Sequence, residues 1–194
     1  METERQGKLS SATSINRSWS HCITGLPDVK AHLVFWGIVV LGLALDLWTK
    51  RAVFAWLEYA PGQGTEILDG ILSFRLALND GAAFGIATGR YLFLVGVAVL
   101  ALVVILGVFL FGRAQQRIVQ TALGLFAAGV SGNLWDRLFN GGRVRDFIDV
   151  VYWPGRHWHT FNVADAMLCV AVGLLIIATL LTDSSCQTRA QPRK

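Results

Sequence analysis

The sequence predicts an all-α membrane protein, with four transmembrane helices carrying a small strand-bearing cap and a short interfacial helix. Three observations point there. The 194 residues are 54% hydrophobic and only 15% charged, where a soluble domain carries about 25% charged residues. Four apolar runs approach the roughly 20 residues needed to cross about 30 Å of hydrocarbon. The unusual polar residues gather at the ends of those runs that face one side.

Taken in order, residues 1–30 form a polar tail rich in Ser and Thr, expected to be partly disordered. The tail is too polar for a cleaved leader, and the run behind it has no small-residue cleavage site. That first run, Ala31 to Trp48, is a retained span. "FAWLEYA" (Phe54 to Ala60) has the character of a short helix lying at the interface. "ILSFRLALNDGAAFG" alternates Phe74, Leu76 and Leu78 with Ser73, Arg75, Ala77 and Asn79, a strand signal ahead of a glycine turn.

The second run, Tyr91 to Gly112, has no charge within it. The third, Ile118 to Trp135, is rich in small residues (Gly124, Ala127, Ala128, Gly129, Ser131, Gly132) that let helices approach closely. It is the expected central helix. The fourth, Phe161 to Leu181, opens with Asn162 and Asp165. A four-helix transmembrane unit over 31–182 is thus flanked by the N-terminal tail and a polar C-terminal tail, 183–194.

Four spans put both termini on one side, together with the tight junction "GRAQQR", Gly112 to Arg117. The basic pair Arg113 and Arg117 in that short loop favours a cytoplasmic location for this side. Asp46, Lys50, Asn79, Asn133, Asp136, Arg137, Asp146, Asp149, Asn162 and Asp165 then all fall on the opposite side. Ionisable groups at membrane depth are functional candidates. Trp48, Trp56, Tyr59, Tyr91, Trp135, Tyr152, Trp153 and Trp158 sit where an aromatic belt belongs.

A net charge of +4 suits anionic headgroups. No basic stripe interleaved with aromatics suggests nucleic acid. Cys22, Cys169 and Cys186 make no CxxC, and Cys169 is expected in the core. His157 and His159 lack further ligands for a metal site. No cofactor is expected.

Two carboxylates sharing one site hold a proton between them, so that one serves as base toward water and the other as acid. Such chemistry needs no metal, cysteine or activated serine. Asp165, on the first turn of the fourth span, can meet a carboxylate from the segment after the third. Asp146 and Asp149 both qualify on physical grounds. Asp165 can also be read as a helix-end stabiliser with Asn162. Asp46 and Lys50, spaced i and i+4 with the acid first, read as an ion pair. Asn133, Asp136 and Arg137 read as a polar network at the membrane edge. A small ion carrier is the rival, but the sequence has no inverted repeat and no broken helix.

Five segments, "DLWTK" (Asp46 to Lys50), "LNDGAAFG" (Leu78 to Gly85), "SGNLWDRL" (Ser131 to Leu138), "VRDFID" (Val144 to Asp149) and "FNVAD" (Phe161 to Asp165), resemble those of the bacterial lipoprotein signal peptidases, in the same order. The resemblance implies an inner-membrane aspartyl endopeptidase with a periplasmic β-cradle and a short surface helix. It implies removal of the signal peptide from diacylglyceryl-modified prolipoproteins, cut just before the lipidated cysteine. It implies Asp146 and Asp165 as the catalytic pair. Asn79, Asn133, Arg137 and Asn162 would support substrate and pair, and Asp46 and Lys50 would be the pair ending the first helix. The expected partners are prolipoproteins and membrane lipids, for a monomeric enzyme with cytoplasmic termini and a periplasmic site. Two departures stand out. The link "RLFNGGRVRD" is about one residue longer than the family pattern, and Arg145 replaces an apolar residue, where its charge is expected to lower the Asp146 pKa.

Overall fold

The computed structural model describes residues 27–81, 87–112, 116–153 and 155–189, with side chains through residue 181. The N-terminal tail with Cys22, the junction residues 113–115, the end of the "LNDGAAFG" motif and the extreme C-terminus lie outside the described residues. So does the side chain of Cys186.

Four helices are long and apolar enough to cross a membrane: α1 (Val29–Leu57), α2 (Tyr91–Phe111), α3 (Arg117–Phe139) and α4 (Val163–Arg189, apolar through Leu181). Asp28 starts α1 by accepting the Ala31 N–H at 2.8 Å, which satisfies one of the free donors of the first turn. α3 is central and packs against the three other helices. Its glycines explain this. A Cβ on Gly129 would sit 2.7 Å from the Ala164 carbonyl oxygen, and one on Gly124 would sit 3.1 Å from that of Phe35. The helices therefore approach where a methyl group is missing. At the end of the bundle away from the polar cluster, Phe35 stacks on Phe109 with centroids 4.1 Å apart, over Ala31, Leu123 and Ala127.

α1 is longer than expected. Phe54–Leu57 continue it as its last turn and do not form a separate interfacial helix. Nothing between Trp48 and Leu57 breaks a helix. The first breakers are Pro61 and Gly62, in a 3₁₀ turn over Pro61–Gln63. At about 1.5 Å per residue the 29-residue helix outreaches the hydrocarbon. Its end therefore carries the cap: α1 touches two of the strands, and Trp56 meets Phe74 edge-on at 6.4 Å.

The cap is an antiparallel sheet in the order β1 (Gly64–Leu68), β2 (Leu72–Asn79), β3 (Val144–Trp153), β4 (Arg156–His157). The expected strand at β2 is present. The ten-residue β3 goes beyond the reading from sequence, which treated its residues only as a segment leaving the third span. Its signal was available, since "VRDFIDVVYW" is rich in β-branched and aromatic residues. A bulge between Phe74 and Ala77 shifts the β2–β3 register by one residue. Cys169 is exposed on α4, not in the core. The buried stripe of that helix runs Ala164, Met167, Ala171, Ala178, a helical repeat that leaves position 169 outside.

Candidate active site

The polar residues meet where the ends of α1 and α3, strands β2 and β3, and the start of α4 converge. The start of α4 is fastened to β3 through Phe161. Phe161 N–H donates to the Ile148 carbonyl at 3.0 Å, and the Phe161 carbonyl accepts from Phe147 and Ile148 at 3.0 and 2.8 Å. This clasp sets Asn162 and Asp165 beside Asp146.

Asn162 and Asp165 cap each other. The Asp165 N–H donates to Asn162 Oδ1 at 3.1 Å, and the Asn162 N–H donates to Asp165 Oδ2 at 3.2 Å. The exchange is a capping box with Asp in place of the usual Glu or Gln. The next free donor of the helix, the Ala164 N–H, is taken by Asp46 Oδ1 at 2.9 Å from α1. The stabilised helix end and the polar cluster are thus one structure.

The carboxylates of Asp146 and Asp165 make no direct hydrogen bond to each other. Asn162 bridges them: its side-chain amide donates to Asp146 Oδ1 at 2.6 Å while its backbone N–H holds Asp165. Asn79 Nδ2 donates to Asp146 Oδ2 at 3.0 Å. That contact follows from the register, since Ala77 pairs with Asp146 and Asn79 projects on the same face two residues on. Asn133 Nδ2 donates to Asp165 Oδ1 at 2.8 Å. Each of the four carboxylate oxygens thus accepts an N–H.

Asp146 is almost wholly buried. Burial, and then the negative charge of Asp165, push its pKa from the usual 3.8 up to about 6, against the lowering effect of Asn79, Asn162 and Lys50. The expected lowering by Arg145 does not occur. Adjacent strand residues point to opposite faces, and Arg145 turns away to Asp136, donating through Nε to Oδ1 at 3.1 Å.

Lys50 lies 2.8 Å from Asp46 and 3.4 Å from Asp136, all three side chains fully buried. Its ammonium also donates to Asn133 Oδ1 at 2.9 Å. Arg137 does not join Asp136. Its guanidinium donates to the Gly81 carbonyl at 2.7 Å, and Gly81 N–H in turn donates to Asn79 Oδ1 at 2.9 Å. Arg137 thus anchors the turn after β2 to α3.

Asp149 is separate from this cluster. It accepts from Ser73 Oγ at 2.9 Å, pairs with Arg75 at 3.0 Å and contacts His157 Nδ1 at 2.9 Å. These contacts tie β2, β3 and β4 together. Among the described residues no group of His, Cys, Asp or Glu could hold a metal ion. An open groove of about 470 Å³ runs across the cap from Asn79 and Asp146 past Arg75 and Asp149 to Trp158.

Four helices long and apolar enough to cross a membrane, with a strand cap over a cluster of carboxylates and amides at one end, define an integral membrane protein. The signal peptidase (SPase) II family model matches residues 38–181. A lipoprotein signal peptidase of a Sulfurihydrogenibium species is 38% identical over 153 residues, covering 76% of this chain and 91% of the relative. One of Geobacter sulfurreducens is 38% identical over 147 residues, covering 74% and 89%. A bacterial membrane enzyme solved by the in meso method at 2.3 Å superposes with a TM-score of 0.68 at 32% identity, covering 81% of this chain and 91% of that one. The chain belongs to the lipoprotein signal peptidase (signal peptidase II) family of bacterial membrane proteases, which cleave signal peptides from prolipoproteins.

Proposed function

We propose that the protein is an aspartyl endopeptidase that removes the signal peptide from diacylglyceryl-modified prolipoproteins, cutting just before the lipidated cysteine. Asp146 and Asp165 are its acid–base pair. The observation that carries this reading is Asn162 joining the buried Asp146 and the partly buried Asp165 in one site while the Asp146 pKa stands at about 6.

A carboxyl group with that pKa retains a proton near neutrality more readily than an ordinary aspartate, which suits it to protonate the scissile carbonyl oxygen. Asp165, held by Asn133 and Asn162, takes a proton from the attacking water. The product of attack is a tetrahedral intermediate without an acyl-enzyme. On its collapse the carbon–nitrogen bond breaks, the amine of the cysteine leaves with the proton that Asp165 had taken, and a hydroxyl of the intermediate returns a proton to Asp146, so that the pair regains its starting state.

The substrate enters sideways from the bilayer with its signal helix along the bundle, and the chain beyond the cysteine leaves along the groove on the cap. The enzyme works as a monomer among lipids of the inner membrane, with cytoplasmic termini and the site at the periplasmic face. Asn79 and Arg137 support this arrangement by tying the turn at Gly81 to Asp146 and α3.

The test is cleavage of a lipidated prolipoprotein by purified Asp146→Asn and Asp165→Asn variants. Each is expected to lose about 10³-fold or more in kcat. Full activity in either variant sinks the assignment.

A further inference from the structure

We propose that Lys50 is a positioning residue for the reaction: as a donor-only group it forces the side-chain amides of Asn133 and Asn162 into the one orientation that presents N–H groups to both carboxylates. This rests on the aspartyl reading above and adds to its contacts those of Asn133 with Lys50 and Asn162.

The argument follows from what each group can do. An ammonium can only donate hydrogen bonds, and an ionised carboxylate can only accept them. Asn133 lies between the two kinds, with Lys50 Nζ 2.9 Å from its Oδ1 and Asp165 Oδ1 2.8 Å from its Nδ2. A flipped amide would set NH₂ against the ammonium and oxygen against the carboxylate, losing both bonds. Asn133 therefore has a single orientation.

Asn162 follows from Asn133. Its Nδ2 lies 3.1 Å from Asn133 Oδ1 and 2.6 Å from Asp146 Oδ1, so both amide hydrogens are used, and its Oδ1 accepts the Asp165 N–H. The polarity of one buried ammonium is thus passed through two amides to both carboxylates. The ion pair with Asp46 holds Lys50 in place, and Asp136 keeps Arg145 as a partner of its own. The charged groups packed around the pair are Asp46 and Lys50 from α1, Asp136 and Arg137 from α3, and Arg145 from β3.

A merely structural ion pair and a positioning role predict different behaviour for two variants. Asp46→Asn keeps the ammonium, and its Oδ1 still accepts from Ala164. The double variant Asp46→Asn/Lys50→Met removes the ammonium without stranding a charge at position 46. Relative to Asp46→Asn, the double variant is expected to lose about 10²-fold in kcat, the scale of a small misplacement of reacting groups, with KM within about twofold. Its pH–rate profile moves upward, because a positive charge that favoured the ionised form of Asp146 is gone.

Lys50→Gln, which can present either a donor or an acceptor to Asn133, is read in the same assay and carries the test if the double variant does not fold in detergent. Equal kcat and an unmoved pH profile in the variants lacking the ammonium overturn the proposal while leaving the catalytic pair intact. Full activity of Asp146→Asn or Asp165→Asn overturns the pair instead.

Discussion

Arg145 is joined to Asp136 by its backbone as well as its side chain. The Arg145 N–H donates to Asp136 Oδ2 at 2.9 Å, and its Nε donates to Oδ1 at 3.1 Å. Nine residues apart in sequence, the two close the loop between α3 and β3 and fix where β3 begins. Gly141 and Gly142, at φ of 61° and 82°, make the tight return that brings them together. Arg145→Ala keeps the backbone bond but leaves the buried Asp136 carboxylate short of a partner. It should cost on the order of 2 kcal/mol, read as a fall in thermal stability in detergent. The pH–rate profile should stay in place, because the side chain points away from Asp146.

The raised pKa of Asp146 makes stability depend on pH. Its folded value of about 6 lies above the ordinary 3.8, so the folded state holds the proton more tightly than the unfolded chain. That contribution is complete below pH ~4 and is lost as pH rises through ~6. Asp146→Asn removes the cost of ionising a buried group. Its NH₂ meets one of the two amide donors at every pH, but relative to the parent the variant should gain on the order of 2–3 kcal/mol between pH 4 and pH 7. Denaturant unfolding across that window reads it, and a parallel offset at every pH would contradict it.

Asp149 ties β2, β3 and β4 together through Ser73, Arg75 and His157. Asp149→Asn weakens its ion pairs with Arg75 and His157 but can still accept from Ser73. It should retain far more prolipoprotein cleavage than Asp146→Asn. Faster amide exchange in β3 and β4 should accompany it. Equal loss of activity in the two variants would place Asp149 in the chemistry.

Gly132 faces Asp46 so closely that an added methyl group would collide with Oδ2 of that carboxylate and touch the Ala164 methyl at 3.4 Å. Gly132→Ala should push Asp46 off both Lys50 and the Ala164 N–H. A stability loss of about 1–3 kcal/mol is expected from overpacking, together with a drop in activity. Gly37→Ala, where nothing lies within 4 Å of the added carbon, is the control and should leave both unchanged.

Several features were legible in the amino-acid sequence because they depend on local composition. The four spans follow from unbroken apolar length, the central place of α3 from its run of small residues, and β2 from its alternation. The gathering of polar residues at one end needed only the alternation of up and down helices. At the end of α1 the aromatic-rich segment suggests a new helix, but no breaker ends the old one. The exposed position of Cys169 is not legible because the helix is apolar on every face, which leaves the buried stripe without a sequence signal.

The relationships inside the cluster were decided by tertiary structure alone. Asp46 and Lys50 read as a local i, i+4 pair, yet Asp46 also caps α4, 118 residues away, and Lys50 reaches Asn133. Asp146 and Asp149 could not be told apart by residue type. The pairing of β3 with β2 sets Asp146 opposite Ala77, within reach of Asn79, and Asp149 opposite Ser73. Arg145 and Asp146 are neighbours in sequence, but the pleat sends them to different partners. The sequence by itself determined which residues are apolar enough to cross a bilayer and which polar ones lie at its edge, since both depend on the chain within a few turns. Which carboxylate meets which amide depends on strand register and helix approach over more than a hundred residues, and only the packed structure holds those distances.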